Sequence, residues 1–145
     1  MLSQTWLSRR VMLGNSLSLI LIGCGGPAHI EAISSDERGL KELGELYRSF
    51  ASKSKRAPKS LKEFKVKGQR YPIAVTMINS GALIVLWGAP LSPQGATADA
   101  VLAYVNTVPE KGGDVLMQDG RTIKKMTAEE FQAAPKASPR SVTKP

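Results

Sequence analysis

The chain has 145 residues, 20 of them Lys or Arg against 12 Asp or Glu, which gives a formal net charge of +8. This length suits one domain with a modest core and excludes two full domains, and the single cysteine excludes a disulfide framework. The excess of basic residues is compatible with three classes of partner, namely nucleic acid, an anionic membrane face and an acidic polymer. Few aromatic residues stand among the basic ones, which argues against nucleic acid.

The amino-terminal segment has the order of a secretory signal. Arg9 and Arg10 stand in a first stretch without acidic residues, and residues 11–23 are mainly apolar and end in Gly23. As a helix this apolar stretch would be roughly 20 Å long, which is shorter than the ~30 Å hydrocarbon core of a bilayer. We therefore expect residues 1–23 to be a signal peptide that is removed.

The end of this signal resembles the lipobox of bacterial lipoproteins, in the residues Leu21, Ile22, Gly23 and Cys24. The resemblance implies that Cys24 receives a diacylglycerol before cleavage and then becomes the acylated first residue, with palmitate among its chains. Several acyl chains give the stable anchoring that one chain does not. The alternative is an inert buried thiol, but the helix-breaking residues 25–27 directly behind Cys24 argue against it.

Residues 8–13 also resemble a twin-arginine export signal, with Met12 where that family usually has phenylalanine. In the alternative, Arg9 and Arg10 are only the positive region of a general secretory signal. Both routes predict a membrane-anchored lipoprotein on the periplasmic or outer face of the cell envelope.

The remaining chain is expected to begin with a lipidated tether, residues 24–33, which contains the only histidine, His29. A domain over residues 34–134 then opens on Ser34 and Glu37, which are spaced as a helix capping box. Apolar residues follow at intervals of three and four and predict one amphipathic helix to about residue 52, with an apolar face of Leu40, Leu43, Leu46, Tyr47 and Phe50.

A basic segment follows this helix, with Lys53, Lys55, Arg56, Lys59, Lys62, Lys65, Lys67 and Arg70. One interpretation is a solvated surface. The other is contact with anionic headgroups or peptidoglycan, which would suit a tethered domain.

The sequence period changes to that of β-strands after residue 70. Residues 71–78 and 82–87 are apolar, β-branched or aromatic, and the turn residues 79–81 between them predict a β-hairpin. The second of these strands is apolar on both faces, which predicts a central place in the sheet. Three further strands are predicted at residues 101–105, 114–118 and 121–125, the last two joined across Asp119 and Gly120.

The domain is predicted to end in a short helix. Thr127 and Glu130 are spaced as a second capping box, with Phe131 facing inward, and residues 135–145 are expected to be a disordered tail. The whole pattern predicts an α+β domain, in which one amphipathic amino-terminal helix packs on an antiparallel meander of about five strands and a short helix closes the chain.

Residues 40–44, 57–64, 101–104 and 112–120 resemble the soluble part of planctomycete pseudopilin-like proteins. The resemblance covers most of residues 36–133 and lies chiefly in turns and core positions, so it implies the fold. It also implies an alternative role, as a subunit of a type II secretion or pilus-like assembly. The amino terminus departs from the pilin pattern, since a lipobox stands where a pilin has its long apolar helix.

No group of residues in the sequence has a spacing that indicates a particular reaction. General acid–base catalysis needs titratable groups held together in a cleft, whereas Asp99, Asp114 and Asp119 are expected in a loop, at a strand start and in a turn. Glu42 and Glu45 have a spacing that would suit metal ligands on a helix but are expected to face solvent. We therefore predict no enzyme and no catalytic, cofactor or metal site. The alternative outside the non-enzymes is a hydrolase whose site the sequence does not reveal.

The predicted function is that of a lipid-anchored extracytoplasmic envelope protein that acts as a structural or interaction module. Its expected partners are the membrane, through the acyl chains on Cys24, and an envelope protein or anionic polymer, with no nucleic acid.

Overall fold

The computed structural model describes residues 33–64, 70–93 and 98–139. Its helices are α1 (Ser35–Ser54), α2 (Pro72–Asn79), α3 (Val108–Lys111) and α4 (Ala128–Ala133), with a 3-10 turn at Leu61–Phe64. The strands are β1 (Leu83–Val85), β2 (Val101–Val105), β3 (Gly113–Met117) and β4 (Ile123–Met126). They form one antiparallel sheet of four strands in the order β1-β2-β3-β4. The predicted α+β class is confirmed.

Helix α1 is the long amphipathic helix that the sequence predicts. It begins where the Ser34 hydroxyl accepts a 3.1 Å hydrogen bond from the Glu37 N–H, which is one half of the predicted capping box. The apolar face lies against the sheet and α2, and it is buried at Leu40, Leu43, Leu46 and Tyr47. This face provides the centre of the core, because it meets the inward side chains of β2 and β3.

Residues 71–78 do not form the predicted strand, because residues 72–79 are helix α2. Pro72 occupies the first turn, where its missing N–H costs nothing. The Glu42 carboxylate on α1 accepts 3.0 Å hydrogen bonds from the N–H groups of Ile73 and Ala74 and so caps α2 from a neighbouring helix. This tertiary cap and the burial of Ala74 override the strand preference of the β-branched residues.

Strand β1 lies at the edge of the sheet, so the central position predicted for it is wrong. It is only three residues long and pairs with β2 alone, with Leu83 opposite Val105 and Val85 opposite Ala103. Helix α2 packs against β1, and Leu86 and Trp87, which follow the strand, are partly buried against the core. The sheet therefore has four strands in the described ranges, where the sequence pattern predicted about five.

The predicted β3–β4 hairpin is present, and its turn packs closely on α1. Asp119 Oδ1 accepts hydrogen bonds from the N–H groups of Arg121 at 2.8 Å and Thr122 at 2.9 Å. Gly120 has φ +65°, and its carbonyl oxygen accepts a hydrogen bond from the Arg48 guanidinium. The same oxygen lies where a side chain on Gly44 would stand, so this approach requires glycine in the helix.

The carboxyl-terminal segment is ordered further than predicted. Helix α4 has the full capping box of Thr127 and Glu130, and Phe131 is buried, both as expected. The Val101 N–H donates to the carbonyl of Pro135 at 2.9 Å, and the Ala137 N–H donates to the carbonyl of Val101 at 2.8 Å. Residues 135–139 thus belong to the domain, which corrects the prediction that disorder begins at residue 135. Residues 140–145 lie outside the described part.

Candidate functional site

The carboxyl end of α1 and the loop after it carry the basic segment. Its described members are Lys53, Lys55, Arg56, Lys59, Lys62 and Arg70, whereas Lys65 and Lys67 lie outside the described ranges. Lys55 and Arg56 directly follow α1, and Lys59 comes shortly before the 3-10 turn. All three side chains are exposed. This end of the domain therefore presents a cluster of cations.

A cleft of about 590 Å³ opens beside these cations. We call it the Trp87 cleft, and its main lining residues are Trp87, Pro90, Pro139, Lys55, Arg56 and Lys59. Trp87 is half-buried, so one part of its side chain packs on the core and another part faces the cleft. Among the described lining residues none is acidic. The cleft thus combines an apolar surface with a positively charged rim.

Two hydrogen bonds hold the walls of the Trp87 cleft. The Gly88 N–H donates a 2.8 Å bond to the carbonyl of Pro58, which is fully buried, and so ties the basic loop to the chain after β1. The Tyr47 hydroxyl donates a 2.6 Å bond to the carbonyl of Ala89. Burial raises the pKa of Tyr47, so this hydroxyl stays a donor at neutral pH. Both walls are therefore fixed to α1 or to its following loop.

An aromatic cluster packs against Trp87, with Phe64 at its centre. The Phe64 ring lies 5.8 Å from the Trp87 ring, 6.4 Å from Tyr47 and 5.5 Å from Phe50, measured between centroids. The contacts with Tyr47 and Phe50 are edge-to-face, which is a favoured geometry for aromatic pairs. The position of Trp87 is thus set by packing.

Arg56 makes an ion pair and an aromatic contact. Its guanidinium lies 2.9 Å from the Glu63 carboxylate and 5.2 Å from the centre of the Phe50 ring. Hydrogen bonds from the Lys59 N–H and from Arg56, together with the charges of both residues, lower the pKa of Glu63. Glu63 lines a neighbouring cleft of about 370 Å³, on the other side of Arg56. Glu63 thus pairs with Arg56 without lining the Trp87 cleft, and no carboxylate is found among the described lining residues of that cleft.

Lys55 has an unusual backbone conformation, because its φ is +55°. It is the only non-glycine residue with positive φ in the described ranges. Its N–H donates to the carbonyl of Ala51 and closes α1 in the left-handed conformation that glycine usually supplies. Holding a lysine in this left-handed conformation costs roughly 1–2 kcal/mol of conformational energy relative to the right-handed conformation.

Every residue of the predicted lipidation signal lies outside the described part, namely Arg9, Arg10, Leu21, Ile22, Gly23 and Cys24. His29 lies outside it as well. The lipid-anchored assignment therefore stays a prediction from the sequence.

The acidic residues considered for catalysis are placed apart. Asp99 is exposed in the loop before β2, Asp114 lies in β3, and Asp119 forms the turn after β3. A third cleft, of about 460 Å³ between α1 and α2, contains Asp36 as its one described carboxylate. Within residues 33–64, 70–93 and 98–139, no group of three or more His, Cys, Asp or Glu is placed to hold a metal ion.

Sequence reasoning missed the roles of Glu42 and Trp87. Glu42 was expected to face solvent beside Glu45, but it caps α2, and only Glu45 is exposed. Pro72 was the available signal, because proline is common in the first turn of a helix. A helix that begins there after Tyr71, which is a poor capping residue, needs a cap from elsewhere in the fold. Trp87 had no signal of its own, because a tryptophan at the end of an apolar stretch usually belongs to the core.

Comparison of the chain with protein families, with curated proteins and with solved structures finds no significant match. No helix in the described part of the chain is both long and apolar enough to cross a membrane.

Proposed function

We propose that this protein is a lipid-anchored extracytoplasmic module of the cell envelope that acts by contact, and that the Trp87 cleft is its contact surface. The observation that carries the contact role is this cleft, which Lys55, Arg56 and Lys59 line together with the half-buried Trp87. The anchor rests on the sequence ending in Cys24. Clefts that combine apolar surface with a few placed polar groups are typical ligand sites.

The position of the cleft favours a partner away from the point of attachment. The tether joins the domain at the amino end of α1, and the cleft lies at its carboxyl end. Helix α1 has 20 residues, and a helix of that length spans about 30 Å. The length of α1 thus separates the cleft from the residue at which the tether joins the domain, which leaves the cleft accessible to an envelope protein or an anionic polymer.

The alternative function is that of a pseudopilin-like subunit of a type II secretion or pilus-like assembly. It draws on α1 packed across an antiparallel sheet, which is the arrangement that the resemblance implies. Such a subunit needs an apolar patch beside its first helix for the neighbouring subunit. In the described ranges Ile33, at 44% exposure, is the single exposed large hydrophobic side chain. This observation favours the tethered module.

Membrane fractionation and intact mass of the wild type beside Cys24→Ser test the anchor, in a bacterium that processes lipoproteins. We expect a wild-type protein that begins at Cys24, carries acyl mass and sediments with membranes, and a variant that lacks the acyl mass and the sedimentation. The matched control is Ser18→Ala within the same signal, which should behave as wild type. An unacylated, soluble wild type would refute the anchor.

The route and the alternative function have separate tests. Replacement of Arg9 and Arg10 by lysine should block export only if the twin-arginine route is used.

Crosslinking in cells should give heterologous adducts through the Trp87 cleft, whereas a pseudopilin-like subunit would give a ladder of self-adducts through α1.

A further inference from the structure

We propose that the Trp87 cleft binds an acidic, proline-containing peptide segment of a partner protein. This inference deepens the contact role proposed above and rests on it for the partner's location in the cell, but not for the binding itself.

The charge of the rim selects an anionic ligand. Lys55, Arg56 and Lys59 line the cleft, and its described lining contains no acidic residue. Arg56 is paired with Glu63, but the two lysines make no ion pair with a described residue. An incoming pair of carboxylates would therefore meet two cations without displacing an existing bond, and complementary charge also speeds the encounter.

The apolar surface selects a flat or ring-shaped group between those carboxylates. Trp87, Pro90 and Pro139 line the cleft, and the Phe64 ring packs against the indole. A proline ring can pack on the one indole and the two prolines present, and a proline-containing segment loses little entropy on binding because its extended conformation is formed beforehand. The volume of about 590 Å³ lies within the range of about 300–1,000 Å³ that is typical of ligand clefts.

The lining disfavours the other anionic ligands. Sugar hydroxyls both donate and accept hydrogen bonds, and the described lining has donor side chains but no hydroxyl, amide or carboxylate side chain to accept. Single-stranded nucleic acid binds through successive aromatic platforms, and Trp87 is the single aromatic residue in this described lining. An acidic peptide needs only the cations and the rings that are present.

The backbone at Lys55 indicates that a side chain is kept there at a cost to stability. Glycine would relieve the left-handed strain at φ +55°, yet the chain has a lysine whose side chain lines the cleft. Lys55→Gly should therefore raise the thermal midpoint by roughly 4 °C and weaken ligand binding. If the Lys55 side chain had no role in binding, Lys55→Gly would raise the thermal midpoint and leave ligand binding unchanged.

The test uses the full-length chain in mild detergent with Trp6→Phe, so that Trp87 is the only tryptophan whether or not residues 1–23 have been removed. The probe is a dye-labelled peptide of about eight residues that alternates glutamate with proline, a length that suits extended recognition. Anisotropy of the dye measures affinity, and Trp87 emission reports occupation of the cleft itself. We expect saturable binding, a change in Trp87 emission and weaker affinity as salt rises from about 50 to 300 mM.

Matched variants separate the cleft from general charge. Lys55→Gly with Lys59→Gln should lower affinity about tenfold, whereas Lys124→Gln with Lys125→Gln, which removes two exposed lysines of β4, should leave affinity within about twofold of the wild type. Replacing glutamate by glutamine, or proline by glycine, in the peptide should each weaken binding.

Several results would overturn the proposal. They are an equal loss of affinity in both lysine pairs, no change in Trp87 emission on binding, no effect of charge removal from the peptide, or tighter binding of an acidic oligosaccharide, an oligonucleotide or anionic vesicles. Because these measurements use purified protein, they can fail while Cys24 acylation holds, and the anchor can fail while the cleft binds.

Discussion

The hydroxyl of Tyr47 donates a 2.6 Å hydrogen bond to the carbonyl oxygen of Ala89, which is 42 residues away in the chain. Both residues are fully buried, so neither group can exchange this partner for water. The bond joins the middle of α1 to the chain between Gly88 and Pro90, which line the Trp87 cleft. The core and the candidate site therefore share one buried polar contact.

Tyr47→Phe should lower the free energy of unfolding by about 1–3 kcal/mol, because it leaves the Ala89 carbonyl buried without a donor. Urea unfolding followed by circular dichroism measures the change. The control is Tyr104→Phe, whose half-buried ring packs on Phe131 and whose hydroxyl has no hydrogen-bond partner among the described residues. An equal loss in both variants would contradict the role assigned to the Tyr47 hydroxyl.

The same bond predicts a response to alkali. Burial raises the pKa of Tyr47 above its ordinary value, so its stabilising contribution is full below the unfolded pKa of about 10 and decreases as pH rises above it. The stability advantage of the wild type over Tyr47→Phe should therefore shrink above about pH 10. An advantage that stayed constant there would refute this.

Glu42 is predicted to stabilise α2 although it belongs to α1. Its Oε2 accepts from the N–H groups of Ile73 and Ala74, and Tyr71 at the cap position provides no side-chain bond. Glu42→Ala should destabilise the domain by about 1–2 kcal/mol, as the loss of a helix cap does. Glu45→Ala removes an exposed carboxylate from the same helix and should change stability by less than about 0.5 kcal/mol.

Two buried glycines of α1 should respond differently to alanine. A methyl group on Gly39 would meet the side chain of Met77, which can move, whereas one on Gly44 would meet the backbone carbonyl of Gly120. Alanine normally stabilises a helix interior by roughly 0.5–1 kcal/mol relative to glycine. We expect Gly39→Ala to stay within about 1 kcal/mol of the wild type and Gly44→Ala to lose more than about 2 kcal/mol, because the β3–β4 turn must shift.

Asp119 is expected to make acid-sensitive contributions to the β3–β4 turn. Burial raises the pKa of Asp119, but hydrogen bonds from the Thr122 hydroxyl and from the N–H groups of Arg121 and Thr122, together with the Arg121 charge, outweigh it and lower the pKa. A lowered folded pKa means that the stabilisation is present above the unfolded value of about 3.9 and is lost as pH falls through the folded value.

Asp119→Ala should therefore cost about 1 kcal/mol at neutral pH, and this difference from the wild type should shrink below about pH 4. Asp119→Asn, which keeps an acceptor oxygen, serves as the control and should lose less stability with no titration of its own. Thermal unfolding between neutral and acid pH measures both variants. A loss for Asp119→Ala that does not change with pH would exclude the carboxylate charge as its cause.

The sequence predicted well the elements whose signals are local. The apolar period of α1, the capping box at Thr127 and the Asp-Gly turn at residue 119 each depend on neighbours within a few positions, and each is present. The segment at residues 72–79 was misjudged because its decisive partner, Glu42, is more than thirty residues away. Local β propensity could not reveal a cap provided by another helix.

The candidate site depends even more on tertiary structure. The positive charge of the basic segment was visible in the sequence, but its meeting with Trp87 requires the hydrogen bond from Gly88 to Pro58 and the packing on Phe64. Pro139 completes the cleft from a segment that composition alone assigned to a disordered tail. Composition describes how a segment behaves alone, whereas residues 135–137 are held by hydrogen bonds to Val101, at the start of β2 and beyond the residues that pair with β1.

The packing of residues 135–139 on the start of β2 can be tested with a pair of truncations. A chain ending at Ala134 loses both hydrogen bonds between Val101 and the segment of residues 135–137, and it exposes the surface covered by Ala137, which is 6% exposed. It also loses Lys136, whose ammonium lies 4.1 Å from the centre of the Phe131 ring. We expect this truncation to lower the free energy of unfolding by about 2 kcal/mol, the sum of two modest hydrogen bonds and the lost burial.

A chain ending at Pro139 keeps these contacts and should match the full chain in urea unfolding within about 0.5 kcal/mol. Peptide binding by the two truncations should differ as well, because only the longer one keeps Pro139 in the Trp87 cleft. If the two truncations are equally stable, residues 135–139 do not pack on β2 in solution. The wall that Pro139 gives the cleft would then be lost with them, since the hydrogen bonds at Val101 are what hold this segment in place.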